Sequence, residues 1–420
     1  MDTTLAYAQQ QDAKDPLRQY RDQFYFPKAH NGHECLYFCG NSLGLQPKGV
    51  EAALQAELEH WRDYAVEGHF KGDMPWMEYH KFLEAQAAEV VGAKPSEVVV
   101  MNTLTTNLHL MMVSFYRPTK QRYKIVMEGG AFPSDQYAVE TQAKFHGYDP
   151  DTAIVEVHPR QGEHTLRSND IVQAIHDHGD TVALVMFGGV NYYTGQWYDM
   201  EAITKAARQV GANVGFDLAH AVGNVPVQLH DLGCDFAVWC SYKYLNSGPG
   251  GPSGVFVHEQ HAHNRELPRF AGWWGHDEAS RFRMEKGFEP MPGAAGWQLS
   301  NAQILSFAAH KVALDQFSEV GMSALREKGL ALSRYLRYLL EAQANSKVQF
   351  EIITPEADAD RGNQLSILTS GGQGKALFEY LQAHNAIGDW REPNVIRLAT
   401  APLYNSYEDV WRFAELVQRF

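Results

Sequence analysis

Between Glu97 and His258 the chain alternates short apolar runs with amphipathic stretches, and this alternation narrows the possible folds more than any other feature. The runs EVVVM, YKIVM, TAIVEV, TVALVMF, ANVGF and DFAVWC have strand length and composition, whereas SDQYAVETQAKFHG and DMEAITKAARQVG carry apolar residues at helical spacing. Such a rhythm predicts βαβ units and a mostly parallel sheet with helices on both faces, an α/β fold. Near Ser300 the pattern changes to one long helical region, NAQILSFAAHKVALDQFSEVGMSALREKGLALSRYLRYLLEAQ. It is followed by VQFEIIT, NQLSILTS and NVIRLAT, with a helix between the last two. The expected organisation is a large domain over 46–301 and a smaller α+β domain over 302–420, which the N-terminal segment 1–45 joins. With 420 residues, 45% of them hydrophobic, the chain can bury both cores.

In open α/β sheets ligands bind beyond the carboxyl ends of the strands, so polar residues that close apolar runs are the first candidates. EVVVMNTLTTNLHLMM turns through Leu104, Thr105 and Thr106 before a helix expected to begin at Asn107. Free N–H groups and a threonine hydroxyl there suit a phosphate, and simple N-capping is the alternative. EGGAFPSDQYA offers Phe132, Pro133, Ser134 and Asp135 ahead of a helix; Ser134 or Asp135 capping that helix, with Phe132 in the core, is the plainer reading. ANVGFDLAHA ends a strand on Asp217 with His220 three residues on, and a buried carboxylate needs a partner. DFAVWCSYKYLN then brings Lys243 to a strand end 26 residues after Asp217. A lysine there either snorkels to solvent or is a desolvated amine able to form a Schiff base. An anion cradle, an aromatic plate, a strand-end carboxylate and a strand-end lysine, in that order, are what pyridoxal phosphate requires. The glycines and prolines after Asn246 follow the lysine and lack a GK[ST] ending, so they form no P-loop.

The charge balance, 36 basic against 50 acidic side chains for a net −14, disfavours nucleic acid and anionic lipid and favours a small-molecule substrate. No apolar window approaches the roughly 18 residues of a membrane span, and MDTTLAYAQQQDAKD is not built like a signal peptide, so a cytoplasmic address is expected. Four cysteines are too few for a disulfide framework; Cys35 and Cys39 are expected to be buried apolar residues. HEQHAH groups His258, His261 and His263, but no cysteine or carboxylate set completes a metal site, so no metal is expected.

WCSYKYLNSGPGG closely resembles the lysine motif of the kynureninases, fold type I pyridoxal phosphate enzymes akin to class V aminotransferases. YFCGNSLGLQPK, MNTLTTNLHLMM, AFPSDQYA, YYTGQ, VGFDLAHAVGN, GWWGH and IRLATAPLYNS resemble further motifs of that family in the same order, nearly end to end. The resemblance implies seven strands in the mostly parallel sheet, and hydrolysis of L-kynurenine, or its 3-hydroxy derivative, to anthranilate (3-hydroxyanthranilate) and L-alanine in tryptophan catabolism. It implies that Lys243 is the Schiff-base lysine, Asp217 the partner of the pyridine nitrogen and Phe132 the residue stacked on the ring. Leu104, Thr105, Tyr242 and Trp273 would contact the phosphate side, and Pro133, Ser134, Asp135 and His220 would lie in the cofactor pocket. Arg397 would hold the substrate's α-carboxylate, with Ser42, His69 and Asn301 around the aryl ketone. Gly188 stands where the family often has a hydroxyl residue, so it would be a backbone neighbour only. The implied chemistry is α-proton removal by the freed lysine, water addition to the ketone and cleavage between Cβ and Cγ. Tyr242 would either carry protons there or hold phosphate. A homodimer with GWWGH and Asn301 reaching the neighbouring site is also implied. A class V aminotransferase is the alternative; a cysteine desulfurase would need a cysteine after Cys240, and a DNA-binding regulator would need a basic module.

Overall fold

The computed structural model describes residues 1–30, 32–342 and 347–420. Its centre is a seven-stranded sheet of β1 (Val98–Met101), β2 (Lys124–Glu128), β3 (Ile154–Val157), β4 (Val182–Gly188), β5 (Asn213–Asp217), β6 (Phe236–Cys240) and β7 (Ser253–Val257), in spatial order β1-β7-β6-β5-β4-β2-β3. Strands β6, β5, β4, β2 and β3 pair in parallel, and β7 runs antiparallel between β1 and β6. The expected parallel sheet is therefore present with one reversed strand. The sequence SGVFV of β7 reads as the tail of the glycine and proline turn, which is why it stood outside the six runs.

Alternate residues of each strand divide between two cores. Val98, Val100, Val126, Val185 and Phe187 pack on one face. Val99, Met101, Ile125, Met127, Leu184 and Met186 pack on the other. A sheet covered on both sides must be apolar at consecutive positions, and this is why the strands read as unbroken apolar runs. One cover is α2 (Leu104–Phe115), whose Leu108, Leu110, Met111 and Met112 are buried. The other includes α4 (Ile304–Val320), which contributes Phe307, Leu314 and Phe317.

The single helical region expected after Ser300 is two helices, α4 and α5 (Met322–Ala342), separated by Gly321 at φ 79°. A positive φ costs glycine least, so the break falls there. Gln343, the last residue of that run, lies outside the described residues. Helix α5 packs with α6 (Tyr407–Arg419) against a four-stranded antiparallel sheet, β8 (Gln349–Ile352), β9 (Gln364–Ser370), β10 (Asp389–Arg391) and β11 (Val395–Ala399), in order β8-β9-β11-β10. The N-terminal segment contributes to this third core: Ala8 and Phe38 are fully buried in it, and Leu36–Tyr37 pairs with Ala386–Ile387.

Candidate active site

The carboxyl ends of β1, β2, β4, β5 and β6 open on a cleft of about 370 Å³, closed from the other side by the N-terminal segment and by β10 and β11. Lys243 stands three residues beyond β6. Its Nζ lies 3.0 Å from His220 Nε2 and 5.8 Å from the centre of the Phe132 ring, so it points into the cleft and not to bulk solvent. Burial pushes the His220 pKa well down, with the charges of Lys243, Arg397 and Arg391 adding to the effect, so the imidazole is neutral and its Nε2 accepts from the lysine. The turn that carries Lys243 is fixed by the N-terminal segment. Gly44 N–H donates to the Tyr242 carbonyl at 2.8 Å, and a Cβ at Gly44 would stand 2.5 Å from the Lys243 carbonyl oxygen. The glycine of NSLG is thus required by close approach.

Asp217, the last residue of β5, is 6% exposed and accepts from Ala219 N–H at 2.8 Å. Its carboxyl is paired with that of Asp135, not with a structural cation. Burial raises both pKa values, and the neighbouring Asp217 charge raises Asp135 further, so Asp135 keeps the proton of the pair. Asp135 therefore caps nothing: Phe132 is the N-cap of α3 (Pro133–Phe145), without a side-chain cap bond. Phe132 is 39% exposed on the cleft wall, which corrects the expectation of a core residue, and Tyr192 meets its ring edge-on at 5.2 Å. Ser134 lines the same wall, and Pro133 takes the first helical position.

Helix α2 begins at Leu104 and not at Asn107, because Thr103 already has extended N-cap geometry. Leu104, Thr105 and Thr106 are therefore its first turn, whose N–H groups have no intrahelical acceptor. Thr103 makes no side-chain cap bond, so the capping alternative fails and the helix N-terminus faces the cleft. Tyr242 lines the same cleft, and burial raises its phenol pKa, which keeps the proton on the oxygen.

Gly188 ends β4 directly opposite Asp217 in the neighbouring strand. Its N–H donates to Glu128 Oε1 at 3.0 Å, and a Cβ there would come within 2.7 Å of that oxygen. Glu128 thus fills the space a hydroxyl side chain at this position would use. Asn191 Nδ2 donates to its other oxygen at 2.7 Å and Tyr198 Oη at 2.5 Å. Sequence reading missed Glu128; its signal was an acidic residue closing the run YKIVM.

On the far wall Arg397, at 1% exposure, donates to the Tyr192 carbonyl and to Asp389 Oδ2, both at 2.6 Å, and Ser42 Oγ donates to the same carboxylate oxygen at 2.5 Å. Asn41, Tyr192 and Arg391 also line the cleft; the first two lie within YFCGNSLGLQPK and YYTGQ without having been singled out, and Arg391 lies five residues before IRLATAPLYNS. Four expected site residues stand elsewhere: Pro133, the exposed first residue of α3, does not line the cleft, although Phe132 and Ser134 on either side of it do. His69, Trp273 and Asn301 are on the surface of this chain and do not line the cleft. Cys39 is only half-buried, near Ser42 and Asp389, which corrects its expected burial; Cys35 is buried, and all four cysteines are unpaired. In HEQHAH, His261 pairs with Asp235 at 2.8 Å, while His258 stacks on His230, which bonds the buried Glu97. Glu97 already accepts the N–H groups of Lys94 and Glu259.

Pyridoxal phosphate suits this cleft. Asp135 and His220, which line it, each keep a buried polar atom, Oδ1 and Nδ1, without a hydrogen-bond partner, and an exposed aromatic face, a helix N-terminus and an inward lysine supply the remaining contacts.

A family model described as the kynureninase C-terminal domain matches residues 325–417. The chain is 52% identical to the kynureninase of Flavobacterium psychrophilum over 99% of its length and 98% of that protein's. It is 55% identical to that of Stenotrophomonas maltophilia over 97% and 96%. Among solved structures it is similar to the apo cysteine desulfurase of Thermococcus onnurineus NA1, with TM-score 0.74 at 19% identity over 92% of this chain and 94% of that one. It is also similar to C-DES with glycine covalently linked to its PLP cofactor, with TM-score 0.77 at 16% identity over 94% and 98%. These two likenesses establish the fold, that of fold type I pyridoxal phosphate enzymes.

Proposed function

The chain belongs to the kynureninase family, and from that premise we propose that it is a pyridoxal phosphate-dependent hydrolase that cleaves the Cβ–Cγ bond of L-kynurenine, releasing anthranilate and L-alanine in tryptophan catabolism. The observation that carries this reading is the convergence, in one cleft, of an inward lysine, a buried carboxyl pair and a buried arginine on the opposite wall. When bound, pyridoxal phosphate supplies an aldehyde for an amine and a ring that takes up the electrons released at the substrate's α and β carbons.

This chain's residues do the rest. Lys243 Nζ, directed by His220, holds the cofactor at rest and takes the substrate's α-proton when free. The Asp217 carboxylate, kept in place by Ala219 N–H and the Asp135 proton, keeps a proton on a ring nitrogen. Phe132 covers the ring face, with Ser134 shaping its edge. The first-turn N–H groups at Leu104 and Thr105, together with the Tyr242 hydroxyl, hold the phosphate, and Gly188 lies alongside as backbone. Tyr242, protonated across the neutral range, can also pass its proton to the ketone end. Arg397 binds the α-carboxylate, a task suited to a planar guanidinium, with Ser42 beside it.

We further assign the protein as a cytoplasmic homodimer in which His69, Trp273 and Asn301 complete the neighbouring subunit's site. Support comes from the exposed Trp61, Val66, Phe70, Trp273, Phe282 and Met284, apolar side chains that one chain leaves uncovered near those residues in sequence. No helix among the described residues is long and apolar enough to cross a membrane. We keep the segment 1–45 with the unit 302–420, since Leu36–Tyr37 pairs with Ala386–Ile387, and take 46–301 as the large cofactor-binding domain, on whose core α4 and part of the N-terminal segment also pack. The test is incubation of the purified protein with pyridoxal phosphate and L-kynurenine, without a keto acid. Equimolar anthranilate and alanine, abolished by Lys243→Ala, are expected; product that appears only with a keto acid would make it an aminotransferase.

A further inference from the structure

Strand β10 brings a second guanidinium to the wall that holds Arg397. Asp389 and Arg391 lie two apart on β10 and so share a face, and Asp389 stands directly opposite Arg397 on β11. The Asp389 carboxylate therefore meets both arginines. Arg397 Nη2 is 2.6 Å from its Oδ2, Arg391 Nε is 3.0 Å from its Oδ1, and Arg391 Nη2 is 3.2 Å from Oδ2.

This arrangement has an electrostatic consequence for Arg397. At 2.6 Å in a buried setting, Asp389 cancels its charge, so Arg397 alone offers an incoming carboxylate hydrogen bonds but no net charge. Removing a carboxylate from water without opposite charge is costly. Arg391, with its side chain 35% exposed and lining the cleft, restores one positive charge to the cluster, the amount needed to match one carboxylate. Arg397 Nε is buried without a partner, so the cluster also has an unused donor.

We propose that Arg391 is a second guanidinium for the substrate's α-carboxylate, and that Asp389 is the positioning residue that fixes both arginines. This rests on the kynureninase reading above. The two residues work as one device: the strand sets the spacing, Asp389 orients the forks, and Arg391 supplies the net charge.

The test uses the holoenzyme, with cofactor absorbance reporting equilibrium binding of L-alanine and of L-alaninamide, which lacks the carboxylate. Arg391→Gln should raise KM for L-kynurenine and weaken L-alanine by about tenfold to a hundredfold, more than it lowers kcat, while L-alaninamide binding stays as in the wild type. Arg391→Lys, which keeps the charge but not the fork, should recover part of the loss, and it serves as the test should the glutamine variant not fold. Asp389→Asn should weaken L-alanine even though it adds net positive charge. Equal weakening of alanine and alaninamide, or unchanged alanine affinity in Arg391→Gln, would overturn the role of Arg391. Tighter alanine binding in Asp389→Asn would mean that Asp389 competes with substrate instead of positioning the arginines. Wild-type hydrolysis with an unaltered Arg391→Gln KM sinks this inference alone. Absence of anthranilate from the wild type, with Arg391-dependent alanine binding intact, sinks only the kynureninase reading.

Discussion

At the scale of single residues, the site is governed by where protons rest. Tyr242 keeps its proton because burial raises its pKa, so its oxygen can donate but is a poor base at neutral pH. Tyr242→Phe should lower kcat by about 10²-fold to 10⁴-fold if it carries protons, with cofactor affinity reduced far less. Rapid-quench turnover beside a cofactor titration distinguishes the roles; a change in cofactor affinity alone would leave Tyr242 as a phosphate ligand. Asp135 makes a pH prediction. Burial raises its folded pKa above the unfolded 3.8, so folding takes up a proton. Its stability contribution is intact below the unfolded pKa and declines as pH rises towards the folded one. Asp135→Asn, which donates to Asp217 without titrating, should therefore gain melting temperature over the wild-type apoprotein at pH 8 relative to pH 5. The same difference at both pH values would contradict the shared proton.

At the scale of elements, strand ends and helix starts do the positioning, and they were partly legible in the sequence. Asp217 and Lys243 could be found because a charged residue closing a buried run has few structural excuses. Helix α2 was placed three residues late, because Leu104 to Thr106 read as a turn when Thr103 alone provides the extended N-cap. Glu128 closes its run as Asp217 does, but its role, like those of Asp389 and Arg391, depends on partners 60 or more residues away, or across β10 and β11, and no local period encodes that. Gly188 shows the coupling between elements, since β2 places the Glu128 carboxylate where a side chain on β4 would go. Gly188→Ser should destabilise the protein by about 1–3 kcal/mol, read from the denaturant midpoint. An unchanged midpoint would show that the carboxylate yields.

At the scale of the whole molecule, the fold class and the order of site motifs could be read along the chain, whereas the composition of the complete site could not. His69, Trp273 and Asn301 sit outside this chain's cleft, and the homodimer proposed above would carry them to the neighbouring one. Mixing inactive Lys243→Ala and His69→Ala proteins under subunit exchange should restore up to about a quarter of wild-type activity, since hybrid dimers carry one intact site. No recovery, with exchange verified by mass, would mean that His69 serves its own chain or no site. In the proposed reaction water, not a second amine or keto acid, breaks the carbon–carbon bond. Turnover of L-kynurenine in ¹⁸O-water, with mass spectrometry of the anthranilate, reads the origin of the new oxygen. One labelled oxygen in its carboxylate is predicted, and unlabelled anthranilate, or none, would contradict hydrolysis.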